Sequence, residues 1–142
     1  MDKFIIGQRW LLTLSVAVTL FGLFMALFSG TSLFAFFNHQ IDPAFWGTNA
    51  VGATAKLFQQ WIYGVWGATI AGWGVILIYI VRYPFARKER WAWRGVVLGL
   101  LVWYLLDTLL SVLYRVYFNA AFNTLILIMA APPLIFTSKD FD

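Results

Sequence analysis

One carboxylate stands inside an uncharged run: Asp107, in Trp103-Tyr104-Leu105-Leu106-Asp107-Thr108-Leu109-Leu110-Ser111. A carboxylate among leucines can accept hydrogen bonds, hold a cation or relay a proton. Ser111 lies four residues on and Arg115 eight, so a helix carries all three on nearly one face. The same row runs back through Trp103, Gly99 and Gly95. Downstream, Asn119 and Asn123 are again four apart. Upstream, Gln59 and Gln60 open another apolar run, with Tyr63 one turn deeper.

Four kinds of chemistry fit these groups. Asp107, Asn119, Asn123 and Tyr63 can hydrogen-bond across helices and fix their register, at about 0.6–2 kcal/mol per contact. With Ser111, Arg115, Gln60 and Trp103 they can instead line a pocket for an apolar ligand with a polar head, a lipid or a quinone. A proton or ion path would need polar groups at both depths, and the cytoplasmic half of the spans shows no such converging set. Catalysis would need a second acid–base partner for Asp107, and none stands out. No catalytic residue is therefore assigned, and the chain reads as more non-enzyme than enzyme. No cofactor is expected beyond a bound lipid or quinone.

No metal site is expected either. His39 is the only histidine, and with Asp42 it falls short of the three or four ligands zinc needs. The chain has no cysteine, which excludes disulfides, thiol catalysis and iron–sulfur ligation.

The elements that position these residues are set by composition. Of 142 residues, 62% are hydrophobic and 11% charged, against roughly 45–50% and 25% in soluble domains. That much apolar surface needs lipid as its solvent. Four apolar runs, at about 10–29, 57–81, 91–114 and 117–136, each meet the length a membrane helix requires. The first lacks the short core and small-residue cleavage site of a signal peptide, so it reads as a retained helix. A break near Gly30 would leave Leu33 to Phe37 as an interfacial segment. Residues 38–56, with Pro43, Gly47, Thr48 and Asn49, read as the longest loop outside the membrane. Short links at 82–90 and 115–116 predict antiparallel neighbours. Pro132 and Pro133 predict a kink or an end to the last helix.

Eight of the ten cations (Lys3, Arg9, Arg82, Arg87, Lys88, Arg90, Arg94 and Lys139) fall on one side of this layout, and only Lys56 and Arg115 on the other. Cation bias of this kind places both termini in the cytoplasm and the 38–56 loop outside. The fold class expected is an all-α integral membrane four-helix bundle, a single domain in the inner (cytoplasmic) membrane. The net charge of +4 is topological, and no nucleic acid is expected as a partner. Trp10, Trp61, Trp91 and Trp93 fall at span ends, as interfacial anchors do.

Small residues must bring the helices together, because lipid removes most of the hydrophobic drive between them. Gly64, Ala68 and Gly72 recur at steps of four, with Gly67, Ala71 and Gly74 beside them. Gly95 and Gly99 form a GxxxG pair. These are expected packing seams, within the chain, between copies, or with other membrane subunits.

The run from Trp61 to Pro133 resembles small bacterial four-span membrane proteins of uncharacterised function. The residues that carry this are Tyr63-Gly64, Gly72-Trp73-Gly74, Glu89-Arg90-Trp91-Ala92-Trp93, Trp103, Asp107, Ser111, Asn119, Asn123 and Pro132-Pro133. In span count and loop lengths the layout is also similar to the DoxX-like four-helix membrane proteins. The resemblance implies a bundle and supplies no activity. Three functional expectations follow. The first is a non-enzymatic scaffold or accessory subunit packing within the membrane. The second is a binder or carrier of an apolar molecule around Asp107, Asn119 and Asn123. The third is a lipid-modifying enzyme.

Overall fold

The computed structural model describes residues 2–47 and 51–141, so Thr48 and Asn49 of the expected loop lie outside it. The described residues form five α-helices and no strand: α1 (Lys3–Phe28), α2 (Ala35–Trp46), α3 (Ala53–Arg82), α4 (Arg90–Leu113) and α5 (Tyr117–Thr137). Short 3-10 turns cover Ser32–Phe34 and Ser138–Phe141. All but α2 are long and apolar enough to cross a membrane.

α1 starts at Lys3, not near Trp10. Hydropathy marks where charge stops, whereas the helix continues to its cap: the Asp2 side chain accepts from the Phe4 amide at 3.0 Å. Arg9 and Trp10 are exposed on this first stretch while Phe4 and Gly7 are buried.

The chain breaks after Phe28, near Gly30, and the 38–56 segment is not a plain loop. Residues 35–46 form α2, with Pro43 inside it. Asn38, His39, Gln40 and Asp42 lowered the hydropathy without breaking the helix, and Pro43 costs only one amide. α2 ends at Gly47, whose φ of 65° is the left-handed cap that glycine supplies without strain.

α1 lies between α3 and α5, and α4 packs on α5. Short links therefore give neighbours for α4 and α5 but hardly for α3 and α4, which touch little. The cause is the α1–α3 seam. A Cβ on Gly67 would stand 2.6 Å from Gly22 O and 2.7 Å from Met25 Cβ. One on Gly74 would stand 2.8 Å from Thr19 N. Backbones meet there, and only glycine permits it. The working stripe is Gly67, Ala71 and Gly74 against Gly22, one phase away from Gly64, Ala68 and Gly72. Ala68 and Gly72 are exposed, and open space surrounds Gly72, Gly95 and Gly99.

Both chain ends meet the α3–α4 hairpin. Phe4, Phe85 and Phe141 pack ring on ring, with centroids 4.7–5.8 Å apart. Val81, Ala92, Leu11 and Leu134 complete this cluster. Lys88 ties it from outside: its Nζ lies 3.0 Å from Asp140 Oδ1 and 4.7 Å above the Phe4 ring. At the other end Met25, Phe34 and Tyr63 form a second cluster with Phe21, Phe24, Phe37, Ile41, Ile62 and Ile70 around it.

Pro132 and Pro133 do not end α5, which runs on to Thr137. Carbonyls in this last turn find other donors. The Thr137 hydroxyl donates to Pro133 O at 2.6 Å, and the Trp93 indole N–H donates to Leu134 O at 3.0 Å. Trp93 is thus turned inward, unlike the exposed Trp10, Trp61 and Trp91.

Candidate functional site: a polar cluster between α4 and α5

The turn between α4 and α5 sets the geometry. Val116 N–H donates to Ser111 O at 2.7 Å and Arg115 N–H to Val112 O at 3.0 Å, the pair of bonds of a Schellman cap. Arg115 takes the left-handed position at φ 61°. This tight reversal brings the first turns of α5 alongside the last turns of α4, so that Asn119 and Asn123 face Asp107 and Ser111.

Asp107 Oδ1 gathers three donors: Asn119 Nδ2 at 2.6 Å, Asn123 Nδ2 at 2.8 Å and Ser111 Oγ at 3.2 Å. Asn119 Nδ2 also reaches Ser111 Oγ at 2.8 Å, and Asn123 Nδ2 reaches Thr108 Oγ1 at 3.4 Å. Asn123 and Ser111 are buried. One turn toward the middle, Tyr104 OH and Thr124 Oγ1 lie 3.3 Å apart. Hydrogen bonds to a carboxylate are the stronger kind, and low dielectric strengthens them further. The cluster acts as a clamp between two helices.

The structure therefore brings Asp107, Ser111, Asn119 and Asn123 together, as their spacing predicts. Thr108, Tyr104 and Thr124 join them. Their signal was present: Thr108 follows Asp107, and Thr124 follows Asn123. Arg115 does not join: it is exposed at the turn and forms no ion pair among the described residues. Trp103 lies one turn below Asp107, half-buried.

Tyr63 and Gln60 belong elsewhere. Gln59 Nε2 donates to Asp42 Oδ1 at 2.5 Å and to Tyr63 OH at 3.2 Å. Asp42 is buried, and it comes from α2. Gln60 serves through its backbone carbonyl, which accepts from Ser29 Oγ at 3.1 Å. Sequence reasoning missed Asp42 because it assigned that residue to a solvated loop. The available signal was Phe34, Asn38 and Asp42 at steps of four, one face of a helix. α2 spans the two polar clusters: Phe36 and Phe37 meet Phe118, and Phe45 meets Tyr114.

Among the described residues no three metal-ligating side chains gather. A shallow groove of about 200 Å³ runs along the other side of α4 and α5, lined by Trp93, Val97, Leu101, Leu127, Ala131 and Ile135 among others. Comparison with protein family models, with curated proteins and with solved structures finds no match.

Proposed function

We propose that this chain is a small, non-enzymatic multi-pass module of the cytoplasmic membrane that packs within the bilayer against another membrane subunit or a second copy. The observation that carries this reading is how the one carboxylate of α4 is used. Its Oδ1 is filled by three donors of the chain itself, which makes it a fastener between helices. Catalysis would instead need a reactive group poised toward substrate.

α4 supplies the packing face. It rests on α5 along one side, and Gly95 and Gly99 look outward from the other with nothing near them. Small residues four apart are what close helix approach in lipid requires. We place the hairpin end, with its eight cations, in the cytoplasm, and α2 at the outer surface.

The test has two parts. Purified in mild detergent, the protein runs as a larger assembly, and Gly95→Leu with Gly99→Leu converts it to a folded monomer. A wild-type monomer in every mild detergent overturns the reading. Because the chain lacks cysteine, single cysteines report sidedness cleanly. A membrane-impermeant maleimide labels Gln40→Cys on intact cells and leaves Arg87→Cys untouched. The reverse pattern inverts the topology.

A further inference from the structure

The groove of about 200 Å³ between α4 and α5 is lined by Trp93, Val97 and Leu101 from one helix and Leu127, Ala131 and Ile135 from the other. Ala131 places only a methyl between Leu127 and Ile135, four residues from each, and so leaves a notch along one row of α5. The Trp93 indole N–H donates to Leu134 O at 3.0 Å and fixes the floor. Among the described residues the walls carry no charge, and their one side-chain donor is thereby already used. From Trp93 to Leu101, and from Leu127 to Ile135, the walls run about 12 Å at 1.5 Å per residue. That is most of the ~15 Å that one leaflet contributes to a ~30 Å hydrocarbon core.

The hairpin end of the groove has the opposite character. Arg94 stands three residues before Val97 and seven before Leu101, and Arg90 stands seven before Val97. Both therefore lie on the face of α4 that lines the groove. Lys139 follows four residues after Ile135, in the turn that ends α5. All three cations are exposed, and none has a carboxylate partner among the described residues. The acids beside them are committed elsewhere. Glu89 accepts from Arg87 at 2.7 Å and from the Trp91 indole at 2.6 Å, and Asp140 pairs with Lys88 at 3.0 Å. Exposed Trp91 marks this level as the headgroup region. An apolar slot about one leaflet deep, with unmatched cations at its mouth, complements one kind of bilayer molecule.

We propose that the α4–α5 groove holds an acyl chain of an anionic phospholipid from the leaflet that faces the α3–α4 hairpin, with its phosphate on Arg90, Arg94 and Lys139. Basic clusters at helix ends hold such headgroups through charge and charge-assisted hydrogen bonds. Gly95 and Gly99 precede Val97 and Leu101 by two residues, about 200° around the helix. The lipid site therefore lies across α4 from the glycine face and stands whether or not a partner covers that face.

The probe is phosphatidylglycerol, with phosphatidylcholine of the same chains as control, each titrated into the detergent-solubilised full chain and counted by native mass spectrometry. Lipid that merely surrounds the protein would show no headgroup preference. One phosphatidylglycerol per chain should be retained, at least about tenfold in preference to phosphatidylcholine, from about fivefold for each cation engaged. Arg90→Gln with Arg94→Gln should remove most of that preference, and Arg9→Gln, an exposed cation on α1, should leave it unchanged. Ala131→Phe fills the notch with the charges in place and should abolish retention. Should that variant misfold, the wild type still decides: glycerol 3-phosphate, which lacks acyl chains, should fail to displace phosphatidylglycerol. Equal retention of the two lipids, an equal loss with Arg9→Gln, undiminished retention by either groove variant, or displacement by glycerol 3-phosphate overturns the proposal. So does a Leu101→Cys variant that cross-links to its own copy in membranes, because a second chain would then fill the groove.

Discussion

α1–α3 and α4–α5 are both antiparallel helix pairs in the same membrane bundle, yet opposite means hold them. The first pair has its backbones in contact through Gly22, Gly67 and Gly74, with hydrogen bonds toward its two ends, Gln8 Nε2 to Val81 O and Ser29 Oγ to Gln60 O. The second pair sets larger side chains between its helices and is fastened by Asp107, Ser111, Asn119 and Asn123. Without a hydrophobic drive, association in lipid has two sources, close dispersion contact and internal hydrogen bonds. Close contact dominates the first pair and a polar cluster the second. The glycine seam tolerates no added atom, whereas the polar seam tolerates shape changes but not loss of its acceptor.

The largest predicted effect tests the first half of that contrast. Gly67→Leu forces side-chain atoms into Gly22 O and the Ala26 backbone, neither of which can move aside. We expect a loss of about 3 kcal/mol or more, since overpacking against backbone exceeds the usual 1–3. Gly99→Leu, with open space around it, should stay within about 0.5 kcal/mol for the isolated chain. Reversible unfolding in mixed micelles compares the two. Similar losses would mean that α1 and α3 are not in backbone contact.

Next comes the clamp. Asp107→Ala removes the acceptor of three donors and should cost about 2 kcal/mol, from roughly 0.6 per contact plus the price of unpaired amides. Asp107→Asn retains an acceptor oxygen and should cost less than half as much. If the two variants melt together, the cluster is not holding α4.

Smaller effects come from the turns. Arg115 occupies a left-handed cap with no ion pair among the described residues. Arg115→Gly should stabilise by about 0.5–1 kcal/mol, by removing the Cβ penalty at that position. Smallest of all is Asp140→Asn. The Lys88–Asp140 pair is partly exposed, so its loss should cost under about 1 kcal/mol and vanish in high salt.

The contrast also explains what the sequence made legible. Four membrane-length helices followed from hydropathy, because burial in lipid leaves no other use for such runs. The polar seam was legible because Asp107 and Ser111 share a face, Asn119 and Asn123 share another, and a two-residue link leaves one way to join them. The glycine seam was legible only as a composition. α3 offers small residues at both Gly64-Ala68-Gly72 and Gly67-Ala71-Gly74, and choosing between them needs the position of Gly22 on α1. α2 was hidden by its polar residues, although Asp42 and Gln59 use that polarity to anchor it. The last turn of α5, past Pro132 and Pro133, has its Leu134 carbonyl satisfied by the Trp93 indole, a contact across the fold that the local pattern does not show.

Asp107 also constrains how the chain enters the bilayer. The groups that accept its burial, Asn119 and Asn123, come 12 and 16 residues later, and α4 has little other neighbour to lean on. Inserted alone, α4 would carry a bare carboxylate into hydrocarbon at a cost of a few kcal/mol. Entering as a hairpin, with α5 already alongside, would avoid that cost.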